Sequence, residues 1–362
     1  MRQGGGIKAL IIILVILVLV AGGVLAYKIM QDKNQVETSK EENVIIAPQE
    51  EEKTVQIFKG NDRPIAVMID NHSGAWPQAG LNQAYMVYEI IVEGGETRLM
   101  ALFKGVDVEK IGPVRSARHY FVDYAMENDA IYTHFGESPQ ANSDIKRYGV
   151  DEIDGIAEDG TTFWRVKDKA APHNAVTSME KLIQSAKNKK YTMTSNEESV
   201  LNYTTDEINL EEGQSATMIT IPHSQLQTVK YEYDEQNKVY KRYARGKAQL
   251  DWDTDEPVTT KNIIITFCDN YTLNDKENKG RQGLKNIGTF DGYYITNGRA
   301  IKIQCIKNAR DEQTVYQTLD GKEIEVNDGN TFVNICPISA RVIIEGIQET
   351  PVDTTTSNNV SN

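Results

Sequence analysis

YMVYEIIVEGGETRLMALF, residues 85–103, sets two runs of β-branched, aromatic and other apolar residues on either side of Gly94-Gly95. Such runs flanking a glycine pair predict a hairpin, because both central positions of a primed two-residue turn take positive φ. With Gly94-Gly95 as the loop, Glu93 faces Glu96, Ile91 faces Arg98 and Glu89 faces Met100. Side chains alternate between the faces of a strand, so Glu89, Ile91, Glu93, Glu96, Arg98 and Met100 share one surface. Tyr88, Ile90, Val92, Leu99, Ala101 and Phe103 share the other, which reads as the core face. On the polar surface Arg98 lies diagonal to both Glu89 and Glu93, within reach of a long side chain.

Upstream, residues 64–70 read as a short apolar strand ending at Asp70, followed by a loop with His72, Trp76 and Pro77. Downstream, residues 111–118 lead into a helix expected from Val114 to Asn128, with Pro113 at its entry. Arg115 and Arg118 then lie three residues apart in its first turn. A strand over 130–135 places His134 near its end, before Glu137 and Ser138. Residues 161–174 read as a loop carrying Trp164, Arg165, His173 and Asn174, and a helix over 178–188 follows. Beyond a polar stretch the pattern is nearly all β: 217–221, 228–233, 239–245, 262–268, 288–296, 300–306, 314–319 and 331–335, punctuated by turn signals such as Asn297-Gly298 and Asp328-Gly329. The fold class expected is α+β: one N-terminal transmembrane helix, an N-terminal mixed α/β domain (61–188), a linker (189–214) and a mostly antiparallel β domain (215–345).

Residues 9–27 are uncharged, and the apolar segment extends over 7–29. As a helix the uncharged run is about 28 Å long, close to the hydrocarbon thickness of a bilayer. The expected topology is single-pass in the cell membrane, with residues 1–6 cytoplasmic and the domains after residue 29 extracytoplasmic. The small-residue spacing of Val24-Leu25-Ala26 leaves open cleavage after Ala26. Residues 30–60 are acidic and poor in aromatics, a flexible tether, and 346–362 read as a disordered tail. A formal charge of −13 and a pI near 5.0 argue against nucleic acid as a partner, while a local basic site stays open. Cys268, Cys305 and Cys336 each sit in or beside an apolar β-like run, as buried free thiols or with one disulfide among them, and match no metal motif.

Four of the five histidines (His72, His119, His134, His173) fall within 64–175, together with Arg98, Arg115, Arg118 and Arg165. Two arginines at a helix start combine guanidinium forks with unpaired N–H groups, which favours an anion; internal ion pairing with Glu89 and Glu93 is the competing reading. Asp70, Glu89, Glu93 and Glu137 admit paired-carboxylate chemistry, although residues four apart on one strand lie roughly 13 Å apart along the backbone. His134 and Glu137 with His72, Asp70 or His173 could supply mixed metal ligands, but no metal motif is present and no metal or cofactor is expected. Ser116 and Ser138 read as turn or helix-cap residues rather than nucleophiles.

PIAVMIDNH (64–72), GLNQAYMVYEIIVEGGETRLMALF (80–103), IGPVRSARHYF (111–121) and APHN (171–174) resemble the N-terminal signature of the YerB-like lipoproteins of Gram-positive bacteria. VKYEYDEQNKVYKRYARGK (229–247), NGRAIKIQCIK (297–307) and DGKEIEVNDGNTFVNICP (320–337) resemble their C-terminal block, so that the resemblance covers about residues 60–340. It implies an exported, envelope-associated protein in two parts. The biochemical function of the family is unknown, so it carries over no catalytic residue. The chain departs from it in lacking a lipobox cysteine, the apolar helix standing in for the lipid.

The expected function is recognition, extending to modification, of an anionic or glycan envelope component. The pocket expected comprises Asp70, Glu89, Glu93, Arg98, Arg115, Arg118, His134 and His173, with Asn174 beside the ligand. Glu89, Glu93, His134 and Glu137 are the catalytic candidates. The alternatives are a non-catalytic adaptor that docks envelope machinery through the β-rich half, and a paired-carboxylate glycan hydrolase.

Overall fold

The computed structural model describes residues 5–37, 53–345 and 347–349, with side chains for 13–33 and 53–345. Most of the expected cytoplasmic tail, residues 38–52 of the tether and the tail from 350 lie outside the described residues. Two units are distinguished, Met1–Lys53 and Thr54–Asn362. The first contains helix α1 (Gly5–Glu37), which runs past the expected limit at residue 29; its stretch Ile13–Lys33 is long and apolar enough to cross a membrane.

In the second unit the last residues of the expected tether are bound to the fold: the Gln56 and Ile57 amides donate to the Asp328 carboxylate at 2.8 and 2.9 Å. The main elements are β1 (Ile65–Asp70), β2 (Met86–Ile91), β3 (Thr97–Phe103), α2 (His119–Glu127), β4 (Ile131–His134), α3 (Pro139–Tyr148), β5 (Glu152–Asp154) and α4 (Met179–Asn188). They continue with β6 (Met218–Pro222), β7 (Thr228–Asp234), β8 (Val239–Ala244), β9 (Asn262–Thr272), β10 (Gly288–Thr296), β11 (Arg299–Lys307), β12 (Val315–Thr318), β13 (Thr331–Pro337) and β14 (Val342–Ile344). A large sheet runs β12-β11-β10-β9-β13-β2-β3-β1-β4-β5, and a second sheet centres on β8-β7-β6-β14.

β13 is parallel to β9 on one side and to β2 on the other. The N-terminal and C-terminal segments, expected as two domains joined by a linker at 189–214, therefore share one sheet. The physical reason lies in β13, TFVNICP, which is buried along its whole length. A strand apolar on both faces needs neighbours on both edges and cover on both sides. The second sheet and α4 cover one face of the large sheet; α2 and α3 cover the other.

The hairpin at 86–103 forms, but one residue out of the expected register. Its loop is three residues long, Glu93–Gly95, with Gly94 and Gly95 at φ 71° and 75°. Val92 then donates to the Glu96 carbonyl, and Glu89 pairs with Leu99, Ile90 with Arg98. A one-residue slip moves every side chain of one strand to the other face. Glu89 and Arg98 consequently face opposite sides of the sheet, and the single core face expected becomes two buried faces. The longer loop avoids setting Glu93 directly opposite Glu96 and frees Glu93 to reach Arg118.

The helix expected from Val114 starts at His119. Residues 111–118 are instead extended, bridging Ile69 through Val114 and Glu137 through Ala117. Their amides donate away from any helix, Arg115 to the Met68 carbonyl of β1 and Ala117 to the Gly136 carbonyl after β4, so Arg115 and Arg118 are not in a helical first turn. All three cysteines are buried and unpaired, and burial pushes the Cys305 thiol up to about 12.

Each face of β2 holds a buried ion pair. Toward the second sheet, Glu89 accepts from Arg242 at 2.5 Å, from Thr97 at 2.7 Å and from Asn71 at 3.3 Å, and both ion-pair partners have no exposed side-chain surface. Toward α2, Glu127 accepts from Lys307 at 2.6 Å, from Tyr88 at 2.7 Å and from the Thr314 hydroxyl at 2.7 Å. Burial opposes ionisation of Glu89, but Arg242, His223 and Thr97 together hold its carboxyl below the usual range. Arg242→Met is expected to cost about 3–5 kcal/mol in urea unfolding, because it leaves Glu89 as an unpaired buried charge. Glu89→Gln/Arg242→Met should recover at least half of that loss. A thiol reagent should label none of the cysteines in the native protein and all three in urea.

Candidate functional site

β1 and β4 run parallel, and the site lies beyond their C-terminal ends. β1 ends at Asp70, the register partner of Arg98 on β3, so these two project from adjacent strands on one face. The extended segment 111–118 lies across the end of β1 and brings Arg115, Ser116 and Arg118 alongside. Glu137 and Ser138 follow β4, and the small hairpin Trp164–Arg165 with Ala175–Val176 presents His173. Together with His72, Glu93, Glu96, Thr97, Lys279 and Arg281 these residues line a pocket of about 400 Å³.

Asp70 organises one wall. Its Oδ2 accepts from His173 Nδ1 at 2.7 Å and lies 3.3 Å from Arg115 Nε, while its Oδ1 accepts from the His72 amide at 3.0 Å. The His72 and His173 rings stack, with centroids 4.3 Å apart and planes 8° from parallel. Gly74 makes this possible: its amide donates to His72 Nδ1, and a Cβ there would sit 3.0 Å from His173 Cδ2.

The opposite wall is Glu93 and Arg118, paired through two parallel bonds of 2.6 and 2.9 Å. Burial raises the Glu93 carboxyl, but the Arg118 bonds outweigh it and hold the group below the usual carboxylate range. Arg98 is only 7% exposed. It donates to the Ser116 carbonyl, its Nε has no hydrogen-bond partner, and it makes no ion pair among the described residues. Burial, reinforced by repulsion from Arg118, lowers its guanidinium to about 10. The protein thus holds a desolvated cation beside two arginines whose own carboxylates are already engaged.

The expected site residues divide accordingly. Asp70, Glu93, Arg98, Arg115, Arg118, Glu137 and His173 line this one pocket. Glu89 does not: the register slip turns it to the other face, sealed against Arg242, so a Glu89/Glu93 carboxylate pair is not formed across a ligand. His134 is fully buried behind the pocket, with Nε2 2.8 Å from Glu152 and Nδ1 3.0 Å from the Gly136 carbonyl. Asn174 is tied to Arg165 and the Val166 carbonyl, and steadies the hairpin beside His173 without lining the pocket. Ser138 caps α3 by accepting from the Ala141 amide, and Ser116 donates to the Phe135 carbonyl.

His134, Glu137 and Asp154 bring donor atoms within 4.8 Å of one another, a grouping that could hold a metal. The chemistry disfavours one: both His134 nitrogens face oxygen acceptors, and Asp154 Oδ1 accepts from the Gly136 and Ile156 amides. The cluster clasps the loop after β4. Lys279 and Arg281 were missed by sequence reasoning. They sit in a charged turn, NDKENKGRQ, that reads as solvated loop, and only the extension of β9 carries it to the pocket.

The sequence and the α+β fold of this chain match one known class. The family model described as "Protein of unknown function (DUF3048) N-terminal domain" matches residues 51–192, and that of the corresponding C-terminal domain matches residues 219–333. The chain belongs to this family. It is 31% identical over 276 residues, 76% of this chain and 81% of the other, to the Bacillus subtilis (strain 168) protein named "Putative lipoprotein YerB". The crystal structure of the YerB protein from Bacillus subtilis superposes with a TM-score of 0.70 at 30% identity, covering 81% of this chain and 97% of that one.

Because the Glu93 carboxyl is held low, its stabilising contribution is complete above the ordinary carboxylate range and is lost as pH falls through the lower folded value. Glu93→Gln should therefore be less stable than the unsubstituted chain at pH 7. The gap should narrow from about pH 5 down to about pH 3, read as urea midpoints across that range.

Proposed function

We propose that this chain is a membrane-anchored, extracytoplasmic protein that recognises an anionic, phosphate-bearing component of the cell envelope in the pocket between β1, β3 and the 111–118 segment. The observation that carries this reading is Arg98: nine-tenths buried, without an ion pair among the described residues, and lining the same pocket as Arg115, Arg118 and His173. A desolvated guanidinium costs stability unless an anion neutralises it, and arginine forks match tetrahedral oxyanions. The pocket is far larger than one phosphate group, and its walls are almost all polar, which suits a phosphate carried on a polyol or sugar. In a protein of net charge −13 this local excess of arginine supports a binding role over a general electrostatic one. Helix α1 supports anchoring by its length and composition.

Calorimetry on the full-length chain in detergent micelles tests the reading. Glycerol 3-phosphate should bind and neutral N-acetylglucosamine should not. Arg98→Met should abolish binding while melting no lower than the unsubstituted chain, because residues held for ligands are commonly unfavourable to the empty fold. A variant that melts several degrees lower, with no phosphate ester bound by either protein, would make the pocket a structural ion network. For the anchor, full-length chain should sediment with membranes and be digested by protease added outside the cell.

A further inference from the structure

The stacked histidines give the pocket more than charge. The Gly74 amide donates to His72 Nδ1, so that nitrogen carries a lone pair and the ring proton sits on Nε2. His173 is set the opposite way: Asp70 Oδ2 takes its Nδ1–H at 2.7 Å, and Nε2 has no hydrogen-bond partner among the described residues. One imidazole therefore offers a donor and the other a lone pair, held parallel at 4.3 Å on the wall of an arginine-lined pocket. An imidazole oriented by a carboxylate through Nδ1, with Nε2 open, is the arrangement of a general base.

The lining charges narrow the substrate. Arg115 stands against Asp70, Arg118 against Glu93, Lys279 against Glu277 and Arg281 against Asp275 and Glu277, while Arg245 takes Glu96, so that among the described residues Arg98 alone of the lining cations has no ion pair. One unpaired cation matches the single charge of a phosphodiester more closely than the two charges of a monoester. We infer that the pocket hydrolyses phosphodiesters, with His173 as general base, Asp70 as its positioning residue, and His72 Nε2–H and the arginines holding the non-bridging oxygens. The inference rests on the anion-binding reading above. In the step, His173 Nε2 takes a proton from water as the water oxygen bonds to phosphorus. The bond from phosphorus to one ester oxygen breaks, the departing alkoxide takes a proton from solvent, and the imidazolium returns its own to solvent.

The test uses the full-length chain in micelles with bis(p-nitrophenyl) phosphate, whose leaving group needs no acid, and follows p-nitrophenolate. Unreactive diethyl phosphate serves as the binding probe. The expected result is turnover of the diester. His173→Asn should lower kcat on the order of 10²–10⁴-fold with diethyl phosphate affinity little changed. Asp70→Asn should lower kcat with diethyl phosphate affinity little changed, a split that a purely structural role would not produce. Gly74→Ala, which crowds His173 without altering its chemistry, should lower kcat while leaving the fold intact by circular dichroism. Binding of diethyl phosphate without turnover overturns this inference and leaves the binding reading standing; binding of neither ester overturns both. Turnover that survives His173→Asn, or faster hydrolysis of p-nitrophenyl phosphate than of the diester, also overturns it.

Discussion

The pairing of Glu89 with Arg242 between the two sheets constrains the rest of the unit. Both side chains are fully buried, and the residues lie 153 positions apart. A buried carboxylate without its partner is very costly, so the second sheet can pack on the large one only in the register that brings β8 over β2. Glu127 and Lys307 impose the same condition on the other face, joining α2 to β11 through Tyr88 on β2. β2 is thus held from both sides by ionic contacts and on its edges by β3 and β13. Such pairs are weak sources of net stability but strong arbiters between alternative packings.

That rigidity is what the pocket draws on. Asp70 and Arg98 are neighbours because β1 and β3 are locked in register, and the 111–118 segment is pinned by amides donating to the Met68 and Gly136 carbonyls. A cation desolvated as deeply as Arg98 would swing to solvent from a loop; from β3, paired on both edges by β1 and β2, it cannot. Placing opposed imidazoles within one stack also demands a glycine at 74, where any side chain meets the His173 ring.

Much of this was legible residue by residue. The eight C-terminal β runs fall where apolar alternation and turn dipeptides place them, and the Gly94-Gly95 hairpin exists. The density of arginine and histidine within 64–175 pointed to Asp70, Arg98, Arg115, Arg118 and His173, which the fold sets around one pocket. Glu89 was misplaced for a single reason: two adjacent glycines read as a two-residue loop, while the chain uses Glu93 as well. Pro113 read as a helix entry, yet the amides that follow it find better acceptors at the end of β1 than within a helical turn.

Sequence alone determined most of the local periods, the C-terminal β runs and helices α2 from His119 and α4 among them, and that one apolar helix precedes an acidic, mixed-composition chain; it did not mark α3 or β5. Tertiary structure decided which strands pair, that β13 joins the two halves into one sheet, and which face each charged side chain occupies. The physical reason is that a strand's period is two residues. Hydrophobicity marks a segment as a strand, but only the partner across the interface, here Arg242 for Glu89 and Arg118 for Glu93, selects between registers that place a carboxylate in the core or in a pocket.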